Sequence, residues 1–123
     1  MGMETTDWIK DLLVEPYPDR NLTKRLLRVL TDPESIEIRF CEMIDPGKYI
    51  DKCISIVCET NNDYCFVADL YGLFPNIKIL KKIEGERASL VRNKLKEITN
   101  LSGDAALNAF NNLLHEIMVS NKT

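Results

Sequence analysis

Residues 35–43 read Ser-Ile-Glu-Ile-Arg-Phe-Cys-Glu-Met, residues 53–60 Cys-Ile-Ser-Ile-Val-Cys-Glu-Thr, and residues 64–70 Tyr-Cys-Phe-Val-Ala-Asp-Leu. In the first run Ile36, Ile38 and Phe40 alternate with Glu37, Arg39 and Cys41, the period-2 pattern of a half-buried strand. The second run is apolar or small on both faces, as in a central strand covered on both sides. Asp45-Pro46-Gly47-Lys48 supplies turn chemistry between the first two runs, and Asn61-Asn62 between the last two. The stretch therefore predicts a three-stranded antiparallel meander.

The register follows from the turns. A hairpin closed on Asn61-Asn62 sets Glu59 opposite Tyr64, Cys58 opposite Cys65 and Val57 opposite Phe66. A connection of roughly five residues around Gly47 sets Cys41 opposite Cys53, Phe40 opposite Ile54 and Ile38 opposite Ile56. One sheet face then gathers Ile36, Ile38, Phe40, Ile54, Ile56, Cys58, Cys65 and Val67, and it is core. The other gathers Glu37, Arg39, Cys41, Cys53, Ser55, Val57, Tyr64, Phe66 and Ala68. It is too aromatic to be left wet, so a helix or a partner chain is expected to cover part of it.

Around the meander the pattern is helical. Trp8, Ile9, Leu12 and Leu13 make the stripe of a short first helix that Pro16 and Pro18 end. A second helix runs to Leu30, with Leu22, Leu26, Leu27 and Leu30 inward and Arg20, Lys24, Arg25 and Arg28 outward. Asp32-Pro33 stops it. Residues 76–83 read as a fourth strand, with Ile77 and Ile79 on one face and Lys78 on the other; Lys78, Lys81 and Lys82 suit a protected edge. A helix begun at Glu84 or Glu86 carries Ala88, Val91, Leu95 and Ile98. A last helix, capped by Ser102 or Asp104, carries Ala106, Leu107, Phe110, Leu113, Leu114, Ile117 and Met118. The fold class is α+β. The 1–123 chain is one domain, a three- to four-stranded antiparallel meander flanked by two N-terminal and two C-terminal helices.

Net charge is −3 and the isoelectric point about 5.2, so no global basic field draws the chain to nucleic acid or an anionic membrane. No apolar run is long enough to span a bilayer, and no signal-peptide core precedes the first helix. An intracellular location, cytoplasmic or nuclear, is expected. Met1-Gly2-Met3-Glu4-Thr5-Thr6 fits an N-myristoylation pattern, but a start at Met3 is the simpler reading. The four cysteines lack a C-x-x-C pair and fall on two different faces, so no metal site and no cofactor is expected. In a reducing compartment they are expected as free thiols, with Cys58 and Cys65 facing each other in the core.

Catalytic signatures are missing. No P-loop, G-x-G-x-x-G, G-x-S-x-G or H-E-x-x-H occurs. The single histidine, His115, falls on the polar side of the last helix; a Cys65–His115 nucleophile pair would make the chain a thiol-dependent enzyme, a further alternative. The expected function is a non-enzymatic protein–protein interaction module, an adaptor or a subunit of a homodimeric or larger complex. Its contact residues would be Tyr64, Phe66, Tyr71, Phe74 and Phe110. The alternative is RNA binding through Arg20, Lys24, Arg25 and Arg28 together with the lysine-rich 78–96 region.

Overall fold

The computed structural model describes residues 20–45, 50–70 and 77–119. Helix α1 (Arg20–Thr31) precedes four strands, β1 (Ile36–Asp45), β2 (Ile50–Cys58), β3 (Tyr64–Asp69) and β4 (Lys78–Glu84), and helices α2 (Glu86–Ile98) and α3 (Gly103–Val119) follow. The strands form one antiparallel sheet in the order β1-β2-β3-β4. The class is α+β, as the pattern predicts. The helix count differs from two-plus-two: the described residues hold one helix before the sheet and two after it. The helix expected on Trp8 to Leu13 and the Gly2 pattern lie outside the described residues.

The register follows the alternation. Cys41 pairs with Cys53, Phe40 with Ile54 and Ile38 with Ile56. Val57 pairs with Phe66 and Cys58 with Cys65. Glu59 N–H donates to the Tyr64 carbonyl at 2.9 Å, so the second hairpin closes where expected. The regular ladder stops at Cys58↔Cys65, and the loop beyond it is tied to its surroundings, Thr60 Oγ1 donating to Asp32 Oδ2 at 3.1 Å and Arg92 to Asp63 Oδ1 at 3.0 Å.

A bulge separates Val67↔Lys81 from Ala68↔Ile79, leaving Leu80 as the extra residue. The bulge resets the alternation. Ile77 and Ile79 serve the α1 side of the sheet, whereas Leu80 and Ile83 serve the other side. Lys78 and Lys82 stay exposed on this outer strand.

The sheet separates two apolar layers. On one side Ile54, Ile56, Cys58, Cys65 and Val67 meet Val91, Leu95 and Ile98 of α2 and Phe110, Leu114 and Ile117 of α3. Phe40 and Phe110 stack with ring centroids 4.8 Å apart. On the other side Val57, Tyr64, Phe66, Ala68 and Ile79 meet Leu26 and Val29 of α1. That helix is the cover the aromatic face requires.

Within α1 the phase differs from the leucine-based reading. Val29 is buried and Leu27 only half so. Leu22, Arg25, Leu26 and Val29 share the inward side, because positions three and four apart fall on one helix face. Arg25 is thereby turned toward the sheet rather than outward. Gly85 opens α2 with φ +72°, a left-handed conformation that costs glycine little, and its N–H donates to the Asp63 carbonyl at 3.1 Å.

The cysteines correct a second expectation. They form two cross-strand disulfides, Cys41–Cys53 and Cys58–Cys65, instead of four free thiols. The register sets each pair opposite, and the spacing of the backbone then brings the sulfurs together. Both pairs are directly opposed with Cα atoms 4.0 Å apart, the close spacing of non-hydrogen-bonded antiparallel neighbours, so the sulfurs are held together by the sheet. The free-thiol expectation, drawn from a reducing compartment, is thereby overturned. Among the described residues no helix is long and apolar enough to cross a membrane.

Candidate interaction surface on helix α1

A connected polar arrangement lies where α1 meets the β2–β3 hairpin. Arg25 donates from Nε to Glu59 Oε2 and from Nη2 to Glu59 Oε1 at 2.8 Å, a two-pronged ion pair. The Arg25 guanidinium lies 3.8 Å over the Tyr64 ring centroid. Tyr64 in turn packs on Phe66 at 5.0 Å. Asn62 Nδ2 donates to Glu59 Oε1 at 3.0 Å. The Arg25 hydrogen bond holds the Glu59 carboxyl below its ordinary range, against the opposing push of burial. The same bond raises Arg25, and burial pushes the Tyr64 phenol up.

The C-terminal end of α1 is tied down as well. Asp32 Oδ1 accepts from Glu34 N–H at 2.9 Å and Asp32 Oδ2 from Thr60. Ser35 Oγ donates to the Val29 carbonyl at 2.9 Å. A cleft of about 370 Å³ between α1 and the hairpin is lined by Arg25, Arg28, Asp32, Glu59 and Asn61. Both of its carboxylates already accept hydrogen bonds from the protein, so the cleft's polar groups serve to anchor the helix.

Beyond the anchor, α1 presents a different surface. Asn21, Lys24 and Arg28 are exposed, and with half-buried Leu27 they line a shallow groove. Among the described residues neither Lys24 nor Arg28 forms an ion pair. Arg28 borders both the groove and the cleft.

Phe66, Tyr64 and Phe110 are 0%, 7% and 1% exposed, respectively, which places them within the two apolar layers. In this conformation they hold helices to the sheet, and a partner would reach Tyr64 or Phe66 only by displacing α1. Tyr71, Phe74 and the Arg20 side chain lie outside the described residues. Lys24 and Arg28 stand where the pattern put them; Arg25 does not. The lysines of the 78–96 region are divided. Lys78 and Lys82 sit on β4, while Lys94 and Lys96 lie on α2, across the sheet from α1.

Cys65 is bonded to Cys58 and His115 is exposed, so no thiol stands opposite the imidazole. Among the described residues no three His, Cys, Asp or Glu side chains converge as a metal-ligand set. The Arg25–Glu59–Tyr64 unit is absent from the sequence reading. Its signal was the position of Arg25 three residues after Leu22 and four before Val29, with Glu59 directly across from Tyr64. Comparison with models of known families, with curated proteins and with solved structures finds no match to this chain.

Proposed function

We propose that this chain is a protein–protein interaction module, an adaptor or a subunit of a larger assembly, and that its contact surface is the outer face of α1. The observation that carries this reading is a fixed helix bearing a mixed groove. Arg25–Glu59 at mid-helix and Asp32–Thr60 at its end hold α1 on the sheet. Lys24 and Arg28 then flank Leu27 on a surface that need not be ordered on binding. An apolar side chain between two cations complements an acidic amphipathic segment of another protein.

The alternative, RNA, would use the same cations through phosphates, and it would show a steep loss of affinity with salt and indifference to Leu27. The test is capture from native extract with the wild type, the Lys24→Glu/Arg28→Glu double variant and Leu27→Ala, with and without ribonuclease. Loss of the same protein band in both variants, insensitive to ribonuclease, is the expected result. Stability should change by no more than about 0.5 kcal/mol for each exposed cation reversed. Unchanged capture by the double variant would remove α1 from consideration. Binding abolished by ribonuclease and unaffected by Leu27→Ala would establish the RNA reading instead.

A further inference from the structure

The two outer strands of the sheet are built differently. β4 carries exposed Lys78 and Lys82 and a bulge at Leu80, devices that discourage edge pairing. β1 runs Ile36–Asp45 without a bulge until Met43/Asp45, and over residues 36–40 it alternates apolar and charged side chains. Ile36, Ile38 and Phe40 are only half-buried against the α2/α3 layer, together with Ala106 and Ala109 of α3. Among the described residues no strand pairs with the outer edge of β1, and the remaining apolar surface of these side chains lies at that margin.

The hydrogen-bonding direction of β1 follows from its pairing with β2. Cys41 and Cys53 are a close, non-hydrogen-bonded pair with Cα atoms 4.0 Å apart, and the Cys53 carbonyl accepts instead from Leu70 N–H at 2.8 Å. By alternation Glu37 and Arg39 are also non-hydrogen-bonded toward β2, so their N–H and C=O groups point to the open edge.

We propose that β1 pairs antiparallel with β1 of a second copy of this chain, about a two-fold axis through Ile38. This goes beyond the α1 reading and does not depend on it. In that register Ile38 meets its own copy, Ile36 meets Phe40 of the other chain, and Glu37 meets Arg39 in both directions. Glu37 and Arg39 then form two hydrogen-bonded pairs, each exchanging both backbone bonds. Centring the axis on Glu37 or on Arg39 instead would set like charges directly opposite, which is destabilising. The outward backbone groups permit an axis through any residue of β1; of those centred on 37, 38 or 39 charge selects Ile38, and the Ile38 register alone sets Glu37 opposite Arg39 in both directions.

The charged pair is already positioned. Glu37 Oε2 accepts from Ser55 Oγ at 2.7 Å and from Arg39 Nε at 2.8 Å, which orders both side chains on one face. The second copy would complete an alternating square of two carboxylates and two guanidinia. The shared ladder ends at Ile36, because the chain before it turns back through Ser35 N–H to the Asp32 carbonyl. The result is an isologous dimer with one continuous sheet across the axis.

Sedimentation equilibrium across the micromolar range should show mass rising from 14.1 kDa toward twice that value. Glu37→Arg and Arg39→Glu should each remain near the single-chain mass, since each sets like charges across the axis. An equimolar mixture of the two variants should recover the dimeric mass, because every cross-chain pair is then opposite in charge. Hydrogen exchange of the wild type supplies a readout that does not depend on the variants folding: Glu37 and Arg39 amides should gain protection as concentration rises. A wild type that stays at single-chain mass with freely exchanging Glu37 and Arg39 amides overturns the proposal and leaves the edge for a strand of another protein. So does a dimer that either charge variant forms as well as the wild type, since its interface would lie elsewhere.

Discussion

Arg25 is the residue whose role changes most between pattern and structure. It joins a half-exposed helix to the hairpin through Glu59 and covers the Tyr64 ring, so it combines an ion pair with packing. Arg25→Ala should cost about 1–3 kcal/mol, since a part-buried charged hydrogen bond and a ring contact are both lost. A double-mutant cycle with Glu59→Ala should return a favourable coupling, measured by urea denaturation. The pH dependence has a definite sign. The folded carboxyl lies below its unfolded value of about 4.3, so this stabilisation is complete above that value and is lost as pH falls through the folded one. The stability difference between wild type and Glu59→Gln should therefore be constant near neutrality and should shrink in acid. A difference that grew in acid would contradict the pairing.

At the scale of elements, the sheet sets the chemistry of the cysteines. The two disulfides cross-link β1 to β2 and β2 to β3, where the strands are already adjacent. Their surroundings differ. Cys41 is exposed and Cys53 half-buried, whereas Cys58 and Cys65 are fully buried beneath α2. Thiol–disulfide exchange requires access of an attacking thiolate to a sulfur. Mild reductant on the folded protein should therefore open Cys41–Cys53 first, giving two reactive thiols by alkylation and mass spectrometry, with Cys58–Cys65 reduced only on unfolding. In denaturant without reductant no thiol should titrate. Four titrating thiols under that condition would restore the free-cysteine expectation. Cys65 Sγ already lies 3.4 Å from the Ala88 carbonyl, so a reduced thiol there would find an acceptor without moving.

At the scale of the molecule, the described residues form a sheet between unequal layers. The α2/α3 side buries the larger cluster and the α1 side the smaller one. Residues 54–58 of β2 and every residue of β3 are buried. Amides of β2 and β3 that bond within the sheet should exchange only by global unfolding, and those of α1 by a smaller local opening. Leu26→Ala removes the α1 side chain that is fully buried against the sheet and should cost about 2–5 kcal/mol. Its effect on exchange should be largest in α1. Equal acceleration in α1, β2 and α3 would mean that the two layers unfold as one unit. The proposed function depends on this layer staying docked, which the Leu26, Val29 and Arg25–Glu59 contacts provide.

Alternation and turn residues by themselves determined the meander, its register and the apolar stripes of α2 and α3. These are local facts: a one-residue slip would move Ile36, Ile38 and Phe40 to the other face, so few registers are allowed. Sequence also set the outward positions of Lys24 and Arg28. Tertiary structure decided the rest. Of the two covers expected for the aromatic face, a helix or a partner chain, the packing of α1 supplies the helix and buries Tyr64 and Phe66. It also chose Val29 and Arg25 over Leu27 as inward positions, because complementarity to the sheet surface, and not side-chain type, fixes helix rotation. The bulge at Leu80 sent one strand's apolar residues to both layers. The pairing of sulfurs depended on how closely the backbone brings opposed residues together, a distance that no composition or spacing records.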